Sequence, residues 1–166
     1  MLSRKIFNKT EILTLKYSKQ SQLKISRIQG NLQKFIHHAK ATTLLHNNID
    51  EAWNILQAQC IPVNAAGGLI QKNSRYLFIY RNGFWDLPKG KHDFGELITE
   101  TAIRECSEEC ALSVSKLKIH RHLPCTYHLY KIKSKVALKT TYWFEMKYSG
   151  TSKGKPQHTE GITEIQ

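Results

Sequence analysis

The alternation of apolar and polar residues predicts strands and helices in the first third of the chain. A strand or hairpin is predicted at 5–15, a short helix at 30–41 and a longer helix at 47–60. The apolar residues of the longer helix recur at i, i+4, i+7 and i+11 and form one stripe: Ile49, Trp53, Leu56 and Cys60. Asn48 has the side chain of an N-cap for this helix.

After Pro62 the pattern changes to short apolar runs separated by turn residues. Strands are predicted at 63–71 and 75–81, followed by a loop at 82–95 and a helix at 96–110. Three strands are predicted from 112 on, the last two paired across 133–135. A polar tail then starts a new element. Gly67 and Gly68 within the first of these strands indicate a close approach of backbone. The order favours an α+β or mixed α/β fold without regular βαβ alternation.

The charge and composition of the chain limit the classes of partner that it is expected to bind. The formal net charge is +12, and residues 1–48 contain a single acidic residue, Glu11. Such an excess attracts polyanions such as nucleotides, polyphosphates or RNA, although solubility alone explains it equally well. With no run of 18 apolar residues, no membrane association is expected.

The four cysteines favour a cytoplasmic protein. They show no CxxC spacing, and the N-terminal residues lack the apolar core of a secretory signal. Reduced thiols in a cytosolic setting are therefore expected instead of a disulfide framework.

Three glutamates lie close together near the end of the predicted helix at 96–110. Glu105, Glu108 and Glu109 fall on one helical face, where two charges about 4 Å apart repel by about 4 kcal/mol at an effective dielectric constant near 20. The negative end of the helix dipole disfavours them further. A bound Mg²⁺ or Mn²⁺ relieves this cost most simply, and the alternative is a solvated acidic face paired with nearby lysines.

The segment LPKGK at 87–91 precedes this helix and has features of a phosphate site. Lys89 and Lys91 flank Gly90, and the amides of glycine-rich turns and helix N-termini bind phosphate. Glycine also permits a close backbone approach.

Together these residues resemble the Nudix box, G-x5-E-x7-R-E-U-x-E-E-x-G-U, in which U is a bulky apolar residue. The matching positions are Gly90, Glu96, Arg104, Glu105, Cys106, Glu108, Glu109, Ala111 and Leu112. Two of them depart from the pattern: Ala111 replaces the glycine and Cys106 replaces a bulky apolar residue. A left-handed alanine costs about 1 kcal/mol, so the helix is expected to end differently and to shift Glu109.

The resemblance covers 62–165 well and 1–61 only loosely. It implies a Nudix-type α/β/α sandwich with a mixed sheet at 62–166, preceded by an N-terminal extension of strand and helices at 1–61. Nudix folds commonly close with a helix after the final strand, and the sequence leaves open whether this domain includes one.

The resemblance also implies a Mg²⁺- or Mn²⁺-dependent hydrolase that cleaves a nucleoside diphosphate linked to another moiety. Glu105, Glu108 and Glu109 would ligate the ion, and Arg104 would orient a glutamate of this cluster. Glu96 would either support the loop–helix junction or act as an acid of the first helical turn. The general base is either a glutamate of the box or Glu160, which could also add a metal ligand.

The remaining candidates concern the substrate. Phosphate contacts are expected from Arg81, Lys89, Gly90, Lys91 and Lys139. The substrate class stays open between dinucleoside polyphosphates, diphosphoinositols and RNA 5′ ends. A non-catalytic module of the same fold that binds nucleotide or RNA is the alternative function.

Overall fold

The computed structural model describes residues 3–8, 11–20, 30, 34–35 and 42–166. They form two compact units, Met1–Val63 with Thr126–Thr140 and Asn64–Cys125 with Thr141–Gln166. Strands β9 (Leu117–Ile132) and β10 (Lys135–Tyr148) contribute residues to both units. The predicted division into an extension at 1–61 and a domain at 62–166 stays a prediction.

The first unit contains the predicted N-terminal hairpin. Strands β1 (Ser3–Asn8) and β2 (Glu11–Tyr17) pair antiparallel, and β3 (Thr42–His46) pairs parallel with β2. β1 also pairs parallel with β9 at Phe7 and His128. The predicted helix at 30–41 lies mostly outside the described residues.

Helix α1 (Ile49–Gln57) begins as its sequence predicts. The Asn48 side chain accepts hydrogen bonds of 3.1 Å from the amides of Asp50 and Glu51, as an N-cap does. Its apolar stripe packs in a core with residues of β1, β2 and β3, and Trp53 meets the ring of Tyr127 edge-on at 4.6 Å. Trp53 also lies under the guanidinium of Arg4.

The second unit is built around strand β4 (Ile61–Lys72). β4 pairs antiparallel with β5 (Arg75–Tyr76) and β8 (Lys89–Lys91), and β10 is its other neighbour. A separate three-stranded sheet has the order β11 (Ile162–Ile165), β6 (Ile79–Arg81), β7 (Phe84–Asp86). Helix α2 (Ile98–Cys110) packs its buried residues, Ala102, Cys106 and Cys110, into this unit's core.

Three expectations about strands are corrected. The predicted strand at 75–81 is two strands, because Leu77 donates to Ile70 in one sheet while Phe78 exchanges hydrogen bonds with Gln166 in the other. The predicted loop at 82–95 contains β7 and β8. The three strands predicted from 112 on are two long ones, β9 and β10, joined by the expected turn near 133–135.

The predicted fold class is confirmed as a mixed α+β structure with a mixed sheet and two helices among the described residues. In the same part of the chain no helix is long and apolar enough to cross a membrane.

Helix α2 ends in a Schellman motif, so the expectation that Ala111 changes the helix end is wrong. Ala111 keeps the left-handed conformation, with φ 50° and ψ 46°. The amide of Leu112 donates to Ser107 and that of Ala111 donates to Glu108, which is the pattern of this motif. The helix end therefore has the left-handed geometry that glycine usually adopts, and the Cβ of Ala111 makes this conformation sterically unfavourable.

We expect Ala111→Gly to stabilise the protein by about 1 kcal/mol, because glycine adopts positive φ without a Cβ clash. Urea unfolding of the variant and the wild type measures the difference. Ala58 is a matched control, since it ends α1 in the right-handed region, with φ −61°. Ala58→Gly should destabilise, and an equal gain from both substitutions would contradict strain at Ala111.

Candidate active site

The Nudix-box loop lies against β4 because Gly67 leaves room for it. β8 pairs with β4 through Lys89 and Gly67, and the amide of Gly68 donates to the carbonyl of Pro88 at 3.1 Å. A Cβ on Gly67 would lie 2.2 Å from that carbonyl oxygen. The close backbone approach predicted from Gly67 and Gly68 is therefore confirmed, and it positions the segment 88–91.

Arg104 lies at the centre of a group of carboxylates. Its Nε and Nη2 donate to the two oxygens of Glu96 at 2.6 and 2.9 Å, which is a bidentate pair. Its Nη1 donates to Glu105 at 2.7 Å and to Glu108 at 3.3 Å. One guanidinium thus fixes three box glutamates relative to one another.

Glu96 joins the loop to the helix. It precedes the N-cap, Leu97, and accepts a 2.8 Å hydrogen bond from the buried Thr101 hydroxyl in addition to the pair with Arg104. These bonds, the one with Arg104 first, lower the pKa of Glu96 to about 2. Of the two expected roles, the structure shows support of the loop–helix junction.

Glu109 is almost completely buried, with 2% of its surface exposed. Arg81 Nη1 donates to one carboxylate oxygen at 2.7 Å, and the backbone amide of Lys89 donates to the other at 2.9 Å. Burial nevertheless raises the pKa of Glu109 to about 7, since these two partners offset only part of the lost hydration. Glu109 is therefore a desolvated acid whose charge is incompletely balanced.

Arg81 links Glu109 to the loop acid Glu160. Its Nη2 donates to Glu160 at 2.8 Å while Nη1 is held by Glu109. The segment before Glu160 is fixed to the end of α2, where the amides of Lys155 and Gln157 donate to the carbonyls of Cys110 and Glu109. The structure thus brings Glu160 beside the box acids.

Glu105 packs its carboxyl group directly on the backbone of Gly90. A Cβ at Gly90 would lie 1.9 to 2.5 Å from the three atoms of that carboxyl group. Burial raises the pKa of Glu105, against the lowering effect of Arg104, and the neighbouring charge of Glu108 raises it as well. Position 90 therefore requires glycine because the Glu105 carboxyl group occupies the space of a side chain there, in addition to any contact that Gly90 makes with phosphate.

The donor chemistry of Glu105, Glu108 and Glu109 suits Mg²⁺ or Mn²⁺, which prefer carboxylate oxygen. Within the described ranges, no three His, Cys, Asp or Glu side chains converge as a ready metal site. Arg104 contacts Glu105 and Glu108, whereas Arg81 contacts Glu109. Burial raises the pKa of Glu105 and of Glu109 although an arginine pairs with each, and a divalent cation beside them would favour their charged forms.

The predicted phosphate contacts fall in both compact units. Lys89 pairs its ammonium group with Asp86, and the carbonyl of Lys91 accepts from Arg104 at 3.2 Å. Lys139 lies on β10 within the other compact unit. Arg81, Gly90 and Glu160 lie with the box acids, as described above.

Sequence reasoning missed the supporting partners of this site. Asp93 lies 3.4 Å from Arg104, and Thr101 shares a 2.8 Å contact with His92. Asp86 orients Lys89. The available signal was Thr101, a polar residue next to Ala102 on the predicted apolar side of the helix, since a polar residue there requires a partner.

Comparison with known proteins identifies the family. The family model described as NUDIX domain matches residues 57–165. Among solved structures, an Ap4A hydrolase from C. elegans is 25% identical with a TM-score of 0.48, covering 63% of this chain and 77% of that one. A MutT NUDIX hydrolase from Burkholderia pseudomallei is 20% identical with a TM-score of 0.47, covering 64% and 81%. The family match confirms the resemblance drawn from the box and the expectation of a Nudix-type pyrophosphohydrolase. The chain therefore belongs to the Nudix hydrolase family.

Proposed function

We propose that this protein hydrolyses a diphosphate bond in a nucleoside diphosphate linked to another moiety, in a reaction that depends on Mg²⁺ or Mn²⁺. The observation that carries the proposal is the group of box acids held by Arg104 and Arg81, two of them with raised pKa values caused first by burial. Burial of a carboxylate costs stability unless it is paired, and Arg81 is the one ion-pair partner of the buried Glu109 among the described residues.

Glu105, Glu108 and Glu109 would hold the divalent ion. When bound, such an ion neutralises charge that develops on phosphate oxygens and lowers the pKa of a coordinated water. This chemistry suits diphosphate hydrolysis, in which attack on phosphorus accumulates negative charge.

Arg104 and Glu96 position the acids. The bidentate pair leaves the guanidinium one orientation, and Nη1 then lies between Glu105 and Glu108. Arg104 would thus act through the glutamates as a positioning residue.

Arg81 is suited to bind the substrate diphosphate. It is a quarter exposed while bound to two acids. Its planar guanidinium presents donors that match phosphate oxygens.

The base that activates water is proposed to be Glu160 or a box glutamate. Glu160 is half-exposed and tied to Glu109 through Arg81, so it lies within the same cluster. Its exposed loop position lets it accept a proton and release it to solvent. Substitution of Glu160 by glutamine separates the two choices.

The substrate is proposed to be a small nucleotide, with RNA 5′ ends as the second candidate because the net charge of +12 favours polyanions. A cytoplasmic site of action fits the four free cysteines.

A screen of diphosphate substrates tests the function. We expect Mg²⁺-dependent release of phosphate or mononucleotide, identified by mass, from at least one member of a panel that includes dinucleoside polyphosphates, nucleotide sugars, a diphosphoinositol and 5′-triphosphorylated RNA. Chelation of the metal should abolish turnover. A thermal shift with nucleotide but no turnover of any member would instead support the non-catalytic binding module.

A further inference from the structure

An exposed aromatic ring lies next to Arg81 on a tight hairpin. The strands β6 and β7 are joined by Asn82 and Gly83, whose φ angles are 49° and 87°, as a two-residue type I′ turn requires. The register pairs Arg81 directly with Phe84. Directly opposed residues of an antiparallel pair project from the same face, with Cβ atoms about 4.5–5.5 Å apart. Phe84 therefore shares the face of the arginine that contacts Glu109 and Glu160.

The hairpin is fixed at its tip and along one edge. The amide of Asn82 donates to the carbonyl of Gly161 at 3.3 Å, and Arg81 is in register with Ile162 of β11. A Cβ on Gly161 would lie 2.6 Å from the side-chain oxygen of Asn82, so glycine is needed for this contact. The backbone that carries Phe84 is thus held in place by the same turn that carries Glu160.

Phe84 itself is 75% exposed despite this fixed backbone. The opposite face of the hairpin carries Tyr80 and Trp85, whose rings pack on each other at 5.2 Å. An apolar ring that is accessible, carried on a fixed hairpin and in register with a cation is suited to stack on a planar group attached to a phosphate.

We propose that Phe84 determines specificity by stacking on the nucleobase of the substrate, while Arg81 engages the diphosphate. The inference rests on the proposed function and deepens it, because it names the side chain that favours nucleoside diphosphates over diphosphates carried on a polyol or a bare sugar. Stacking is tolerant of base identity, so purine and pyrimidine nucleotides should both benefit.

Two ligands that differ only in the nucleoside test the proposal. Binding of adenosine 5′-methylenediphosphonate and of methylenediphosphonate is measured by calorimetry in the presence of Mg²⁺, which does not depend on turnover. Phe84→Ala should weaken the adenosine ligand roughly 5- to 100-fold and leave methylenediphosphonate unchanged. Phe84→Trp should bind the adenosine ligand at least as tightly as wild type.

Phe94→Ala is the matched control, because Phe94 is fully exposed in the loop before α2. It should change the affinity for neither ligand. Equal weakening of both ligands by Phe84→Ala, or no change in either, would overturn the stacking role. Since the substrate screen is run on wild type, an inactive wild type rejects the proposed function separately from this result.

Discussion

Glu109→Gln is expected to abolish metal-dependent hydrolysis while leaving the protein folded. Loss of a partner that only orients metal ligands typically costs 10- to 100-fold, so loss of a proposed ligand should reduce kcat/KM by at least about 100-fold. The fold should tolerate the change, because burial already disfavours the Glu109 carboxylate and raises its pKa to about 7. The amide can still accept the hydrogen bond from Lys89.

The measurements are kcat/KM on the substrate found by the screen and the midpoint of urea unfolding without metal. Glu108→Gln should also be inactive, although Glu108 is half-exposed and contributes little to stability. Glu51→Gln, on the exposed first turn of α1, controls for loss of a carboxylate elsewhere. Turnover by both Glu108→Gln and Glu109→Gln at the wild-type rate would reject the three acids as metal ligands.

Helices were predictable because their signals are local. The N-cap of α1 and the stripe residues Ile49, Trp53 and Leu56 are found as the sequence indicates, whereas Cys60 lies beyond the end of the helix at Gln57. The Nudix box indicated which acids belong to the candidate site, and helical periodicity alone predicted that Glu105, Glu108 and Glu109 lie on one face of the helix.

The short strands were not predictable because their causes are distant in sequence. β8 has three residues, and it is a strand only because Gly67 admits Lys89 and its neighbours. The break between Tyr76 and Ile79 depends on Gln166, which lies almost ninety residues away. Strand pairing between residues so far apart in the sequence produces no periodic pattern of apolar and polar residues in either segment.

The ion pairs within the site were also hidden in the sequence. The sequence predicts Arg81 only as a phosphate contact, and its pairing with Glu109 and Glu160 is seen only in the fold. The same holds for Thr101, whose partners come from the loop that precedes α2. The family was thus predictable from the motif, whereas the ion pairs of the site required the fold.

Gly90→Ala should inactivate the enzyme through Glu105. The added methyl group would meet the carboxyl oxygens at 1.9 and 2.5 Å, well inside van der Waals contact, so the carboxylate must move. Glu105 is held to Arg104, and its displacement disturbs the pair that also orients Glu108. We expect a loss of kcat/KM of about 10- to 100-fold, as for other changes that misplace ligands.

The cost in stability should be about 1–3 kcal/mol, the usual range for overpacking. Gly90→Ala with Glu105→Ala removes the obstruction and should recover much of that stability without any activity. Gly67→Ala provides the contrast, because its methyl group would meet the backbone carbonyl of Pro88, which cannot rotate away. Gly67→Ala should therefore be the less stable protein of the two single variants. If Gly90→Ala turns over substrate as wild type does, the position of the Glu105 carboxylate against Gly90 has no part in catalysis.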